Sequence, residues 1–152
     1  MESLRNSGDF RELLSCFAAE GVRYLIIGGF ALAHYGRPRY TKDLDVWIDP
    51  TGQNPDRVFR ALAAFGAPLD GIAVADFRDP DTVFQIGVEP IRIGVLSSIS
   101  GVDFDLAWQR RQETKYGDVP VFVIGREDYI ANKEASGRPG DLRDIESLLD
   151  ES

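Results

Sequence analysis

Apolar positions along this chain recur in two rhythms, a helical period of 3.6 and a strand period of 2. Phe10, Leu13, Leu14, Phe17 and Ala18 keep the helical period. Asp9 is placed to cap that helix, with Glu12 as its reciprocal partner and Gly21 to stop it. Residues 22–27 form a short continuous apolar run rich in branched side chains, which predicts a buried strand. The run ends at Gly28-Gly29, and residues 30–35 predict a helix closed by Gly36. Residues 43–49 alternate cleanly, with Leu44, Val46 and Ile48 on one face and Asp43, Asp45, Trp47 and Asp49 on the other. Asn54–Phe65 reads as a helix with Pro55 in its first turn and Val58, Leu62 and Phe65 as its apolar stripe.

Residues 70–80 read as an irregular acidic surface connection. Residues 82–86 and 90–96 read as strands joined through Gly87. In the second, Ile91, Ile93 and Val95 face one way and Arg92, Gly94 and Leu96 the other. Residues 103–111 predict a short helix, and residues 114–116 and 119–124 a hairpin across Gly117-Asp118. Arg126–Ser136 and residues 139–149 predict two closing helices separated by Gly137. Leu142, Ile145, Leu148 and Leu149 are the expected buried stripe of the last, with Asp141 and Asp144 one turn apart on a different face. The expectation is a single α/β (α+β) domain over residues 1–152, with its core in about 22–124 and C-terminal helices at 126–150.

Composition narrows the function classes. The 152 residues suffice for one domain with a real core, and 43% apolar with 28% charged is the balance of a globular protein. No apolar run approaches membrane-spanning length, and the opening MESLRNSGDF lacks a basic-then-apolar leader, so a cytoplasmic location without membrane association is expected. The net charge of -8 argues against a general DNA or RNA binder, since phosphate neutralisation needs Lys and Arg. It leaves room for a small anionic substrate held by a few local cations and a metal. One histidine, His34, excludes a His-rich zinc site, and the lone Cys16 reads as packing on an apolar helical face.

The candidate chemistry lies between Gly28 and Asp45. A strand, a glycine pair and a helix direct backbone N–H groups outward at a helix start, a geometry that favours anions and admits close approach. Alone, such a glycine pair is more often a tight turn. Asp43 and Asp45 project side by side, and two ionised carboxylates held close repel unless solvated, paired or bound to a cation. Hard oxygen donors in this arrangement suit Mg²⁺, which takes one or two protein carboxylates plus substrate phosphates. The alternative for an isolated Asp-x-Asp is a solvated strand face; the upstream glycine pair shifts the balance toward metal binding. Gly94 stands out because glycine inside a strand packs nothing and often marks a bulge or close approach.

GGFALAHYGRPRYTKDLDV resembles the start of the nucleotidyltransferase fold shared by DNA polymerase beta and the aminoglycoside nucleotidyltransferases. Together with IGVEPIRIGVLSSISGVDFDLAW and NKEASGRPGDLRDIESL, it is more closely similar to a group of small bacterial nucleotidyltransferases related to abortive-infection and toxin–antitoxin enzymes. That resemblance implies a mixed β-sheet with helices mainly on one face and the active site on the other. It implies Mg²⁺ as cofactor, an NTP as substrate, an acceptor of unknown class (tRNA, protein or small molecule) and an antitoxin protein as a candidate partner. Carried over by position, Gly28 and Gly29 hold the phosphates, Asp43 and Asp45 hold Mg²⁺, and Lys133 meets phosphate as a point charge. Arg92, Arg138 and Asp141 join the nucleotide site on the same basis. Arg39 and Thr41 precede the Asp-x-Asp; Arg39 contacts phosphate or pairs with an aspartate.

At one position the chain departs from the group. A third carboxylate usually faces the Asp-x-Asp from the neighbouring strand, and here Gly94 occupies its place. Asp103 and Asp105 lie downstream, in no register that returns them to the site. Losing that carboxylate removes a metal ligand and the expected base for the attacking hydroxyl. A weakened enzyme, a one-metal enzyme and a nucleotide-binding relative without chemistry all remain open.

Overall fold

A computed structural model describes residues 7–36, 42–87 and 92–151. Helix α1 (Ser7–Glu20) leads into strand β1 (Tyr24–Ile27), helix α2 (Gly28–Tyr35), strand β2 (Asp43–Ile48) and helix α3 (Asn54–Phe65). Strands β3 (Val83–Ile86) and β4 (Arg92–Leu96) follow, then helix α4 (Phe104–Gln109), strands β5 (Gln112–Tyr116) and β6 (Val119–Val123), and helices α5 (Arg126–Ser136) and α6 (Pro139–Glu151). The strands form one six-stranded mixed sheet in the order β3-β4-β2-β1-β6-β5. β2 runs antiparallel to β1 and parallel to β4, and the β5–β6 hairpin joins through a parallel pairing of Ile26 with Val123.

Residues paired across a ladder share a face, so the register assigns the two sides of the sheet. Tyr24, Ile26, Leu44, Val46, Ile48, Ile93 and Val95 share one, all buried. The helices α1 and α3 pack together, and Phe17 of α1 meets Tyr24 edge-on with ring centroids 5.3 Å apart. The other side carries Ile27, Asp43, Asp45 and Trp47 with Arg92, Gly94 and Leu96. Helix α4 roofs only its Trp47 end, where Phe104 packs 4.9 Å from the indole.

Several local expectations are corrected by the structure. α1 begins at Ser7, so Asp9 lies in its first turn rather than at the cap, where it still complements the helix dipole. Cys16 packs against the core as expected, though half-buried rather than fully enclosed, and burial, then Glu12 and Glu20, raise its thiol above the ordinary value. The connection at 70–80 contains a 3₁₀ helix, Val74–Arg78, that buries Phe77. Asp49 is buried, not solvated: Arg23 pairs with it at 3.1 Å and its carboxylate accepts from the Thr51 amide and hydroxyl. On α6 only Leu148 of the expected apolar stripe is fully buried, while Leu142 and Leu149 are exposed. The helix instead buries Asp141, which pairs with Lys133 of α5 at 3.2 Å.

Candidate active site

Asp45 sits between two glycines. Ile27 pairs with it across the β1–β2 ladder, so the start of α2 falls beside its carboxylate. Gly28 and Gly29 are the first two residues of α2, and their amides belong to the group that a helix leaves without an internal partner. Gly28 has a left-handed φ of +71°, and a Cβ there would lie 2.6 Å from Asp45 Oδ2. Only glycine permits both the backbone turn and the approach. On the other side Gly94 pairs directly with Asp45 in the parallel β2–β4 ladder. A Cβ at 94 would lie 2.7 Å from Asp45 Oδ1, so a side chain there projects straight at the Asp-x-Asp.

Charge around this point is balanced within the chain. Arg92 pairs with Asp43 in the register, and its guanidinium forks onto it, Nε to Oδ1 at 3.2 Å and Nη2 to Oδ2 at 3.3 Å. Burial, then the charge of Asp43, raises the Asp45 carboxyl above its ordinary value, while Arg92 and Lys133 pull it down without cancelling the rise. The α5 side chain Lys133 thus lies within electrostatic reach of Asp45. It is held at 3.2 Å by Asp141 and 3.6 Å by Asp144, and it lies over the Tyr129 ring, 5.5 Å from the centroid. Arg138 bonds the second oxygen of Asp141 at 3.0 Å, while its own side chain is largely exposed.

The structure thus brings Gly28, Gly29, Asp43, Asp45, Arg92 and Lys133 to one region, with Asp141 and Arg138 behind Lys133. Arg39 and Thr41 lie outside the described residues. Tyr129 was missed by sequence reasoning, although its i, i+4 spacing to Lys133 was available; Asp144 matches a charged position of the family motif by resemblance and reads otherwise as a solvated helix residue, and the structure sets it 3.6 Å from Lys133. Asp103 caps α4 through the Leu106 amide and Asp105 reaches Arg23, so neither approaches Asp45. Both line a cleft of about 220 Å³ beyond the end of β2, with Trp47, Asp49 and Ser97, and none of the candidate residues lines it.

Among the described residues, no group of three or more His, Cys, Asp or Glu side chains could hold a metal. The donors present fit a different demand. Two same-face carboxylates beside bare helix-start amides suit a Mg²⁺ ion whose remaining ligands come from phosphate and water. Asp43 and Asp45 would hold it.

The sequence matches the family model described as nucleotidyl transferase of unknown function (DUF2204) over residues 6–151. The chain belongs to this family. No curated protein matches it. Among solved structures, the lincosamide antibiotic adenylyltransferase LnuA, lincomycin-bound, superposes with a TM-score of 0.61 at 16% identity, covering 97% of this chain and 98% of that one. TM1012 of Thermotoga maritima, a proposed nucleotidyltransferase, superposes with a TM-score of 0.61 at 15% identity, covering 94% and 91%. At these identities the likeness establishes the nucleotidyltransferase fold. No helix of the described residues is long and apolar enough to cross a membrane.

Proposed function

We propose that this member of the family is a Mg²⁺-dependent nucleotidyltransferase that moves a nucleoside monophosphate from an NTP to an acceptor hydroxyl, releasing pyrophosphate. The observation that carries it is the contact of Gly28 with Asp45, which joins an anion-binding helix start to the Asp-x-Asp. The amides of Gly28 and Gly29 receive phosphate oxygens. Lys133, fixed by Asp141 and Asp144, presents a positive charge to the same phosphates, and Arg92 has the fork to bind one bidentately. When bound to Asp43 and Asp45, Mg²⁺ supplies charge neutralisation at the attacked phosphorus. The acceptor is unassigned; a small molecule has support from the antibiotic bound by LnuA.

A second reading, a nucleotide-binding or toxin–antitoxin component without chemistry, is favoured by Gly94. That position adjoins Asp45 and offers neither a ligand nor a base. Even losing a group that only hydrogen-bonds to a metal's ligand typically costs about 10–100-fold in affinity or activity, so a missing ligand weighs at least that much. Incubation with labelled NTPs, Mg²⁺ or Mn²⁺ and candidate acceptors decides between the two. The transferase reading expects nucleotide transfer that Gly94→Asp enhances. Nucleotide binding without transfer in either protein supports the second reading and removes the first.

A further inference from the structure

Lys133 and Arg92, the two cations assigned to phosphate above, are each engaged by carboxylates of their own chain, but with different consequences. Lys133 is only 16% exposed and its partners Asp141 and Asp144 lie on α6, outside the proposed metal ligands. Arg92 is paired with Asp43, which is one of the two proposed ligands. The fork engages both oxygens of that carboxylate and sets a full positive charge against them. A cation arriving alone meets like charge at Asp43. The pair is open, with side-chain exposures of 35% for Arg92 and 41% for Asp43, so a phosphate can reach the guanidinium from solvent. The guanidinium fork matches phosphate as well as it matches carboxylate.

Resting on the nucleotidyltransferase reading above, we propose that Arg92 is an internal counter-ion that stands in for the metal until a nucleotide arrives. Phosphate draws the guanidinium from Asp43 and so opens the carboxylate to the divalent ion. Metal and nucleotide then bind with positive coupling, each strengthening the other by the same factor, as linkage requires. The coupling resides in a side-chain exchange and needs no domain movement. Asp45, which meets no such fork among the described residues, keeps a weak affinity for the metal alone.

Mn²⁺ binding, followed by electron paramagnetic resonance with and without a non-hydrolysable ATP analogue, tests this in the wild type, Arg92→Gln, Arg92→Lys, Asp43→Asn and Asp45→Asn. Circular dichroism confirms folding of each. The proposal expects Arg92→Gln to bind Mn²⁺ alone about 2- to 5-fold more tightly than wild type, the effect of removing one exposed ion pair. It also expects the enhancement of Mn²⁺ affinity by the analogue to shrink toward one in that variant, with Arg92→Lys in between. Mn²⁺ affinity that depends on Asp43 but is unchanged or weakened in Arg92→Gln overturns the counter-ion role and leaves the site reading intact. Mn²⁺ binding that is indifferent to both aspartates overturns the site reading, and this proposal with it.

Discussion

Gly28 and Asp45 touch so closely that a Cβ on residue 28 would lie 2.6 Å from Oδ2 of the aspartate and 3.3 Å from its Cβ. The second contact is with a stem atom that cannot swing away. Gly28→Ala is therefore expected to lose nucleotide binding in calorimetry with a non-hydrolysable ATP analogue and Mg²⁺. The left-handed φ alone should lower stability by about 1–2 kcal/mol in urea denaturation. Retention of both affinity and stability would mean that the corner relaxes without consequence.

Gly94→Asp should behave differently with and without metal. The new Cβ would lie 2.7 Å from Asp45 Oδ1, a side-chain end that can rotate, so the strand tolerates it. A third carboxylate beside Asp43 and Asp45 adds repulsion, and the melting temperature is expected to fall in metal-free buffer. Mn²⁺ should then raise it by more than in wild type. A tenfold gain in affinity corresponds to about 1.4 kcal/mol. An equal response to Mn²⁺ in the two proteins would contradict the placement of residue 94 at the metal.

Asp141 sets a pH dependence of stability. Burial alone would raise its carboxyl, but hydrogen bonds from Arg138 and Lys133 outweigh burial and hold it below the ordinary 3.8. A depressed folded value contributes stability above the unfolded value, lost as pH falls through the folded one. The wild type should thus exceed Asp141→Asn in stability above about pH 4, and the gap should narrow below it. Near neutrality the loss is expected to be about 3 kcal/mol, since Lys133 is left largely buried with only the more distant Asp144. Denaturation curves between pH 3 and 7 check both the size and the sign.

Asn54 supplies a control remote from the chemistry. Its buried amide accepts from the Arg23 amide at 2.7 Å and donates to the carbonyls of Arg23 and Asp49 at 3.0 and 2.8 Å. Asn54→Ala leaves three backbone groups without these bonds and should destabilise by about 3 kcal/mol. Nucleotide affinity of the folded fraction is expected to be unchanged, measured below the melting point by calorimetry.

Legibility in the sequence followed the range of the forces involved. Asn54–Phe65 and Arg126–Ser136 matched their expected bounds because Pro55 starts the one and Gly66 and Gly137 end them, all local signals. Strict alternation grouped Asp43 with Asp45 and Arg92 with Gly94; that the two groups meet on one face came from the family resemblance, and the ladder pairs Asp45 with Gly94. Strand order was not legible, since β6 reaches β1 from far along the chain. Nor was the rotation of α6: hydrophobic spacing favoured Leu142 and Leu149, whereas the buried face carries Asp141, paired with Lys133 of the neighbouring helix, and Leu148. Asp49 likewise shares the alternation of Asp43 and Asp45, but Arg23 takes it into a structural role.

The most direct measurement is a crystal structure with a non-hydrolysable ATP analogue and Mn²⁺, read by anomalous scattering. The account predicts one Mn²⁺ ligated by Asp43 and Asp45, phosphate oxygens on the Gly28 and Gly29 amides, and Arg92 moved from Asp43 onto phosphate. Phosphate density away from that corner, or Mn²⁺ bound elsewhere, would contradict it.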